Sequence, residues 1–341
     1  ANPRLVFSNL HAQQKIESST ARECQISVTL PKDVSPHTAL LRLATDAGVS
    51  NVVAVGVDGL LQQLASGQAI TSLPVAISGT LTGSTIIRQE LHGKKGQRLV
   101  VDVESQRLGA KLNPVVRLVD ERETQIAWSP GVRTLAGDAR FVTQLPADGR
   151  YTIVLHDELY RGTGPGHWRM KIGDLNFVDH TLPLGVARGK SAKLTMLGSS
   201  PQSQQLPFDA SPEGPAVLQQ PFSLPATADL VGPAPVLFVS DHEEFAEAPA
   251  GESAVHKLTA APVAVSGRLT ADNEKDRYEI PVTPGEKLRI ELFAARAGSP
   301  IDGVIDVHRT GGGRLAGNDD QAGTSDPGLD FTAPKDVDKL E

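Results

Sequence analysis

Three sequence blocks occur twice along the chain, and this repeat constrains the fold more than any other feature. The matched blocks are "LPVAISGTLT" at 73–82 with "APVAVSGRLT" at 261–270, "GQRLVVDVES" at 96–105 with "GEKLRIELFA" at 285–294, and "LGAKLNPVVRLVD" at 108–120 with "AGSPIDGVIDVHR" at 297–309. The offset changes from 188 to 189 residues, which one small insertion explains. Three blocks in register predict a duplicated domain.

The repeated blocks have the pattern of β-strands. Leu99, Val101 and Val103 alternate with other residues, and the second copy repeats the alternation from Leu288. A period of two predicts strands with one buried and one polar face. The 341 residues include 32 Gly and 24 Pro but only 4% aromatic residues, which favours short strands and turns over long helices. We expect an all-β protein of tandem antiparallel β-sandwich domains joined by Pro/Gly-rich linkers.

The pattern predicts four domains in alternating order. They are a small β domain at 1–64, incomplete at its N-terminus, a sandwich at 73–175, a second small β domain at 177–246, and a second sandwich at 260–341. The acidic run at 241–253 is interpreted as a solvated linker.

The second sandwich ends early in this sequence. Glu341 aligns with Ile153, so the counterparts of residues 154–174 are missing. A sandwich without its last two strands has unpaired edges. This suggests a fragment of a longer protein, in which Leu340 and Glu341 would be a cloning remnant.

Several segments resemble known bacterial modules. "SGTLTG", "LPADGRYTIVLHDELYRG" and "HWRMKIGDL" in the first copy, and "SGRLTADNEKDRYEI" and "GRLAGNDDQAGTSDPGLDF" in the second, resemble the pre-peptidase C-terminal (PPC) domain. "LLRLATDAGVSN" and "PLGVARGKSAKLTMLG" resemble the immunoglobulin-like modules that alternate with it. The resemblance implies jelly-roll-like or immunoglobulin-like sandwiches, a secreted or cell-surface bacterial protein, and a non-catalytic role. Some members of the family bind calcium, collagen or polysaccharide.

An acidic loop in the second copy is a candidate calcium site. Calcium takes six to eight oxygen ligands on a loop able to wrap it. The candidate ligands are Asp276, Asn318, Asp319, Asp320 and Asp326.

The first copy lacks acidic residues at two of these places. Residues 129–131, "SPG", stand opposite 318–320, and Ile87 stands opposite Asp276. Joint loss is what one shared site predicts, and calcium is therefore expected in the second copy only. The alternative is that these residues cap turns through local hydrogen bonds.

Two aromatic residues are candidate ligand contacts. Trp128 precedes a turn but shares a strand face with Ile126, so a core position is the alternative, and Tyr160 lies in a loop. Trp168 alternates with Met170 and Ile172 and is expected in the core. Exposed aromatic rings would support carbohydrate binding, and burial of both Trp128 and Tyr160 would argue against it.

The sequence contains no catalytic signature. His156 and Asp157 are adjacent, and neighbours on a strand point to opposite faces, so they are not expected to form a catalytic pair. A net charge of -7 argues against nucleic acid as partner, and no apolar run is long enough to span a membrane. The single cysteine, Cys24, excludes an intrachain disulfide and is expected in a β core.

The leading prediction is therefore a non-catalytic extracellular binding or spacer module, with calcium stabilising its second copy. The alternative is an accessory domain that docks a polymeric substrate, polysaccharide or protein, for a linked hydrolase or peptidase. Its partners would be that polymer and the other domains of the same parent chain.

Overall fold

The computed structural model describes residues 3–8, 10–200, 204–213, 230–247, 255–271 and 273–341. Their regular elements are β-strands and three short 3-10 helices, at Gln106–Leu108, Arg133–Leu135 and Ala295–Ala297. The all-β prediction is confirmed. The described residues form two compact units, the first made of 3–177 with 230–234 and the second of 178–213 with 235–341.

The first unit contains fifteen strands in its described residues. They are β1 (Arg4–Phe7), β2 (Gln13–Ser19), β3 (Cys24–Thr29), β4 (His37–Thr45), β5 (Gly48–Val49), β6 (Val53–Val57), β7 (Leu61–Leu64), β8 (Val75–Thr80), β9 (Ile87–Gly93), β10 (Arg98–Glu104), β11 (Pro114–Asp120), β12 (Gln125–Ser129), β13 (Arg140–Gln144), β14 (Gly149–Asp157) and β15 (His167–Gly173). Strands β1, β4, β5 and β6 form one sheet, and β2 pairs with β3. Cys24 opens β3 and is half-buried, because both strands of this hairpin are largely exposed, so its expected place in a core is wrong.

Two sheets of the first unit pack into a β-sandwich. One has the strand order β13-β10-β15-β8-β7 and the other β12-β11-β14-β9, with antiparallel pairing except between β7 and β8. The predicted alternation holds, because Leu99, Val101 and Val103 point into the core between the sheets. Trp168, 2% exposed, lies in the same core, as predicted.

The opposite face of β10 and β15 is polar but buried, and the expectation of a solvated polar face is wrong here. Asp102 is fully buried and Glu104 is 3% exposed. A second apolar cluster that includes Leu60, Phe177 and Val231 lies with residues of β8 and β10, so this side of the sheet also has a core. These covering residues come from segments far apart in the sequence, which strand periodicity does not reveal.

A charged network lies on this buried face. The guanidinium of Arg169 binds both carboxylate oxygens of Asp58 at 2.8 Å and donates to Glu104 at 2.7 Å. The Nζ of Lys171 lies 2.7 Å from the other Glu104 oxygen and donates to the carbonyl of Val231. Because each charge has a partner, the network can be buried without leaving an isolated ion.

The second unit contains fourteen strands in its described residues. They are β16 (Val178–Leu182), β17 (Gly185–Ala187), β18 (Ser191–Gly198), β19 (Gln204–Asp209), β20 (Phe238–Ser240), β21 (Glu243–Ala246), β22 (Val255–Lys257), β23 (Val263–Ser266), β24 (Arg277–Pro281), β25 (Lys287–Glu291), β26 (Ile305–His308), β27 (Arg314–Asn318), β28 (Gly328–Thr332) and β29 (Lys339–Leu340). The sheets are β16-β18-β19, β17-β20, β21-β23, β22-β24-β29, β25-β28 and β26-β27.

Four strand pairings of the second unit correspond in order to pairings of the first. They are β21-β23 with β7-β8, β24-β29 with β9-β14, β25-β28 with β10-β13, and β26-β27 with β11-β12. No described strand of the second unit corresponds to β15. Its core is accordingly less closed, since Leu288 and Ile290 are half-buried whereas Leu99 and Val101 are fully buried.

Strands lie in the segment interpreted as a linker and in the segment interpreted as a cloning remnant. Residues 243–246 form β21, which pairs with β23 in parallel, so the linker interpretation of 241–253 is wrong for this part. Phe245 is half-buried in this strand, although the segment around it is acidic. Residues 248–253 lie outside the described residues. At the other end, Leu340 is 2% exposed in the core and Glu341 pairs with His308 through the backbone.

Candidate binding face

The outer face of the β12-β11-β14-β9 sheet carries an exposed tryptophan. Trp128 on β12 stands opposite Arg117 on β11, which stands opposite Val154 on β14. Cross-strand partners point to the same side of a sheet, so the three side chains form one row. The core lies on the other side, where Leu118 and Ile153 point. Trp128 is 55% exposed in this position.

Tyr160 reaches the same face from the loop after β14. Its ring stacks on His156 with centroids 4.5 Å apart and planes within 5°. His156 is two residues beyond Val154 on the same strand, so it points to the same side. Tyr160 is 44% exposed. Strand spacings of about 4.8 Å and rises of about 3.4 Å per residue place the Cα atoms of Trp128 and His156 about 12 Å apart.

Asp157 folds the loop that presents Tyr160. Its buried carboxylate accepts N–H bonds from Leu159, Arg161 and Asn113 at 3.0–3.1 Å. Tyr160 lies in the left-handed region with φ 54°. This conformation costs a bulky residue about 1 kcal/mol, so the Asp157 bonds hold the ring in place at the expense of local strain.

His156 and Asp157 do not form a catalytic pair. The Nδ1 of His156 donates to the backbone carbonyl of Asp157 at 2.9 Å, not to its carboxylate. The carboxylate is engaged by backbone N–H groups, as a structural turn requires. The two side chains therefore have separate partners, as strand geometry predicts.

Arg117 differs from the other buried or half-buried cations of the first unit. Its guanidinium makes no hydrogen bond or ion pair with any residue that the structure describes, and its Nε is buried. Arg88, in the same row beyond Val154, is instead paired with Glu123. The row therefore presents an aromatic ring beside an uncompensated positive charge.

Asp326, one of the candidate calcium residues, is bound by groups of its own unit. Asp326 is fully buried, and its carboxylate accepts N–H bonds from Ala294, Ala295 and Arg296 and a bond from the Arg296 Nε at 2.9 Å. Burial raises the pKa of Asp326, but these hydrogen bonds outweigh it and the pKa is lowered. This carboxylate serves the fold of its own unit.

The other four candidates lie in different surroundings. Asn318 ends β27 and its Oδ1 accepts the Gly328 N–H at 2.9 Å, while Asp319 and Asp320 are exposed. Asp276 lies before β24, where burial and the negative charges of Glu247 and Glu274 raise its pKa. Within the described residues, no three His, Cys, Asp or Glu side chains are grouped to hold a metal ion. The calcium prediction rests on the sequence alone.

Comparisons with known proteins add only a partial likeness. No family model matches the sequence, and no curated protein matches it. The PPC domain of a collagenase from Bacillus anthracis is 11% identical, with 34% of this chain and 98% of that one covered and a TM-score of 0.25. PliG from Aeromonas hydrophila, a periplasmic lysozyme inhibitor of g-type lysozyme, is 17% identical, with the same coverage and TM-score.

A third structure, Lac15 from a marine microbial metagenome, is 10% identical, with 48% of this chain and 46% of that one covered and a TM-score of 0.15. A PPC domain is thus among the structures with partial likeness, as the sequence resemblance predicts. Among the described residues, no helix has the length and hydrophobicity to cross a membrane.

Proposed function

We propose that the chain is a non-catalytic binding module, secreted or at the cell surface, that docks an extended polymer on the outer face of the β12-β11-β14-β9 sheet. The observation that carries this proposal is the joint exposure of Trp128 and Tyr160 on one face. Exposed aromatic rings give surfaces on which ligand rings stack. Docking would bring a polymeric substrate to a linked hydrolase or peptidase.

A spacer function would not explain why Trp128 and Tyr160 are exposed. A spacer needs only joined domains, whereas the strained backbone at Tyr160 and the bonds of Asp157 hold one ring at the surface. Strained residues that the surrounding structure fixes are commonly found at binding sites. Docking explains the feature and is therefore favoured.

Retention of the intact chain on insoluble polysaccharides and on collagen tests the proposal. We expect Trp128→Ala and Tyr160→Ala each to weaken binding about tenfold, because aromatic contacts dominate binding energies. Val142→Ala is the control, since Val142 is 48% exposed but lies on the other sheet. Absence of retention on every polymer, or equal retention of all variants, would contradict docking.

A further inference from the structure

We propose that the polymer is an acidic polysaccharide whose carboxylates bind Arg117. This inference rests on the proposed function and adds the chemical class of the ligand. The docked chain would lie across Trp128 and Tyr160, with the guanidinium of Arg117 meeting an acidic group between them.

The unsatisfied state of Arg117 is the main evidence. Its side chain is half-buried between Trp128 and Val154, with the Nε inaccessible and without an acceptor. A buried polar atom without a hydrogen-bond partner is costly, and no described residue supplies an acceptor to this Nε. A ligand carboxylate would supply the missing acceptor through two parallel N–H bonds, for which the planar guanidinium is suited.

The second unit has a different arrangement at the corresponding place. The positions corresponding to Arg117 and Trp128 are Asp306 and Gly317, which are again cross-strand partners. There Arg314 pairs with Asp306, with its side chain over Gly317. The corresponding place in the second unit is therefore internally neutralised and has no aromatic ring.

The charge of the first sandwich supports an acidic ligand. Residues 61–175 contain 14 Lys and Arg against 11 Asp and Glu, a net charge of +3, although the whole chain carries -7. Residues 255–341 contain 11 against 15, a net charge of -4. The basic character is thus found in the sandwich that carries Arg117, where it would attract a polyanion.

The shape of the face favours a carbohydrate over an acidic peptide. Tyr160 lies parallel to His156, so one flat side of its ring is turned away from the protein. Flat aromatic faces stack on the faces of sugar rings, whereas peptide hot spots fill well-packed pockets. Arg117 stands directly opposite Trp128, and His156, on which Tyr160 stacks, stands opposite Val115 two residues before Arg117, so one docked chain could meet both rings and the guanidinium.

Binding of the intact chain to polygalacturonate, alginate and hyaluronate, each beside its methyl ester, tests the inference. Esterification removes the charge and leaves the sugar rings. We expect at least one acidic form to bind, and its ester to bind about 10- to 100-fold more weakly, as expected for the loss of a charged hydrogen bond. Arg117→Gln should lose the same factor for the acidic form, and Arg117→Lys should regain part of it.

Arg314→Gln makes the same change in net charge within the second unit and should leave binding unchanged. Arg117→Gln should also melt no lower than the parent, because it removes an unpaired half-buried charge, so lost binding would not reflect unfolding. Equal binding of acid and ester forms, or full binding by Arg117→Gln, would overturn the acidic ligand while leaving the docking proposal intact if Trp128→Ala still weakens binding. Binding of polyglutamate but of no acidic polysaccharide would overturn the carbohydrate assignment.

Discussion

Asp326 and Arg296 form in the second unit the same ion pair that Asp138 and Arg107 form in the first. In each case the carboxylate accepts the Nε–H of the arginine, at 2.9 and 2.8 Å. It also accepts three backbone N–H groups at the start of the 3-10 turn that contains that arginine. Both arginines also donate to a carbonyl four residues earlier. One aspartate thus closes the turn between two strands in both units.

The Asp326 carboxylate is expected to stabilise the second unit independently of calcium. Asp326→Asn removes the charge beside Arg296 and disrupts several N–H bonds in a buried place, which costs about 3–5 kcal/mol. Thermal melts with EDTA and with millimolar calcium should show the same loss. Asp330→Asn, at a largely exposed carboxylate, should cost no more than about 1 kcal/mol. A loss seen only with calcium would instead make Asp326 a metal ligand.

The pairing of Asp326 with Arg296 could not be predicted from the sequence of the acidic loop. Strand periodicity is local, so the alternation from Leu99 onward could be predicted. Asp326 and Arg296 are 30 residues apart, and nothing in the intervening residues shows that they meet. An aspartate in a Gly-rich loop has the same sequence signature whether it binds calcium or closes a turn.

The candidate site was partly predictable for the same reason. Trp128 and Tyr160 stand out because the chain has few aromatic residues, but the sequence does not show that Arg117, in the middle of β11, lacks an acidic partner. Arg117 is a candidate site residue only because no described residue on a neighbouring strand forms an ion pair with it. The burial of the polar face of β10 likewise depends on distant residues such as Phe177 and Val231.

Asp102 is expected to make the first unit sensitive to acid. Burial raises its pKa, but the charges of Arg107, Arg140 and Lys171 outweigh this and hold the pKa at about 2. The unfolded value is about 3.9, so its contribution is present above pH about 4 and is lost as the pH falls through about 2. Urea unfolding from pH 7 to 2 should show this loss.

Asp102→Asn provides the comparison for that measurement. It should be less stable than the parent at pH 7 by about 2 kcal/mol, and the difference should shrink between pH 4 and 2. A difference that stays constant over this range would show that the carboxylate charge does not contribute.

The Arg169 network is expected to fail when one member is lost. Glu104→Gln removes the charge shared by Arg169 and Lys171 and leaves Asp58 as their one remaining ion-pair partner among the described residues. We expect a loss of about 3–5 kcal/mol in the free energy of unfolding, measured with urea. Glu90→Gln, at an exposed pair 3.9 Å long, should cost about 0.5 kcal/mol. Equal losses would show that the network is solvated.

Glu244 is expected to destabilise the second unit at neutral and higher pH. It lines a cleft of about 660 Å³ beside Gly185, and burial raises its pKa to about 7 although Ser240 donates to it. Because the folded pKa is raised, the native state is favoured below the unfolded value of about 4.3, and that stability is lost as the pH rises through about 7.

Glu244→Gln removes this dependence. The variant should be more stable than the parent at pH 8 by about 1 kcal/mol, a value discounted for the partial exposure of the carboxyl, and the gap should close towards pH 4. Glu243→Gln changes the exposed neighbour and should stay within about 0.5 kcal/mol of the parent at both pH values. Thermal melts of both variants and of the parent at pH 4 and pH 8 measure these differences. If Glu244→Gln has the same effect at both pH values, the carboxyl does not titrate in the folded cleft.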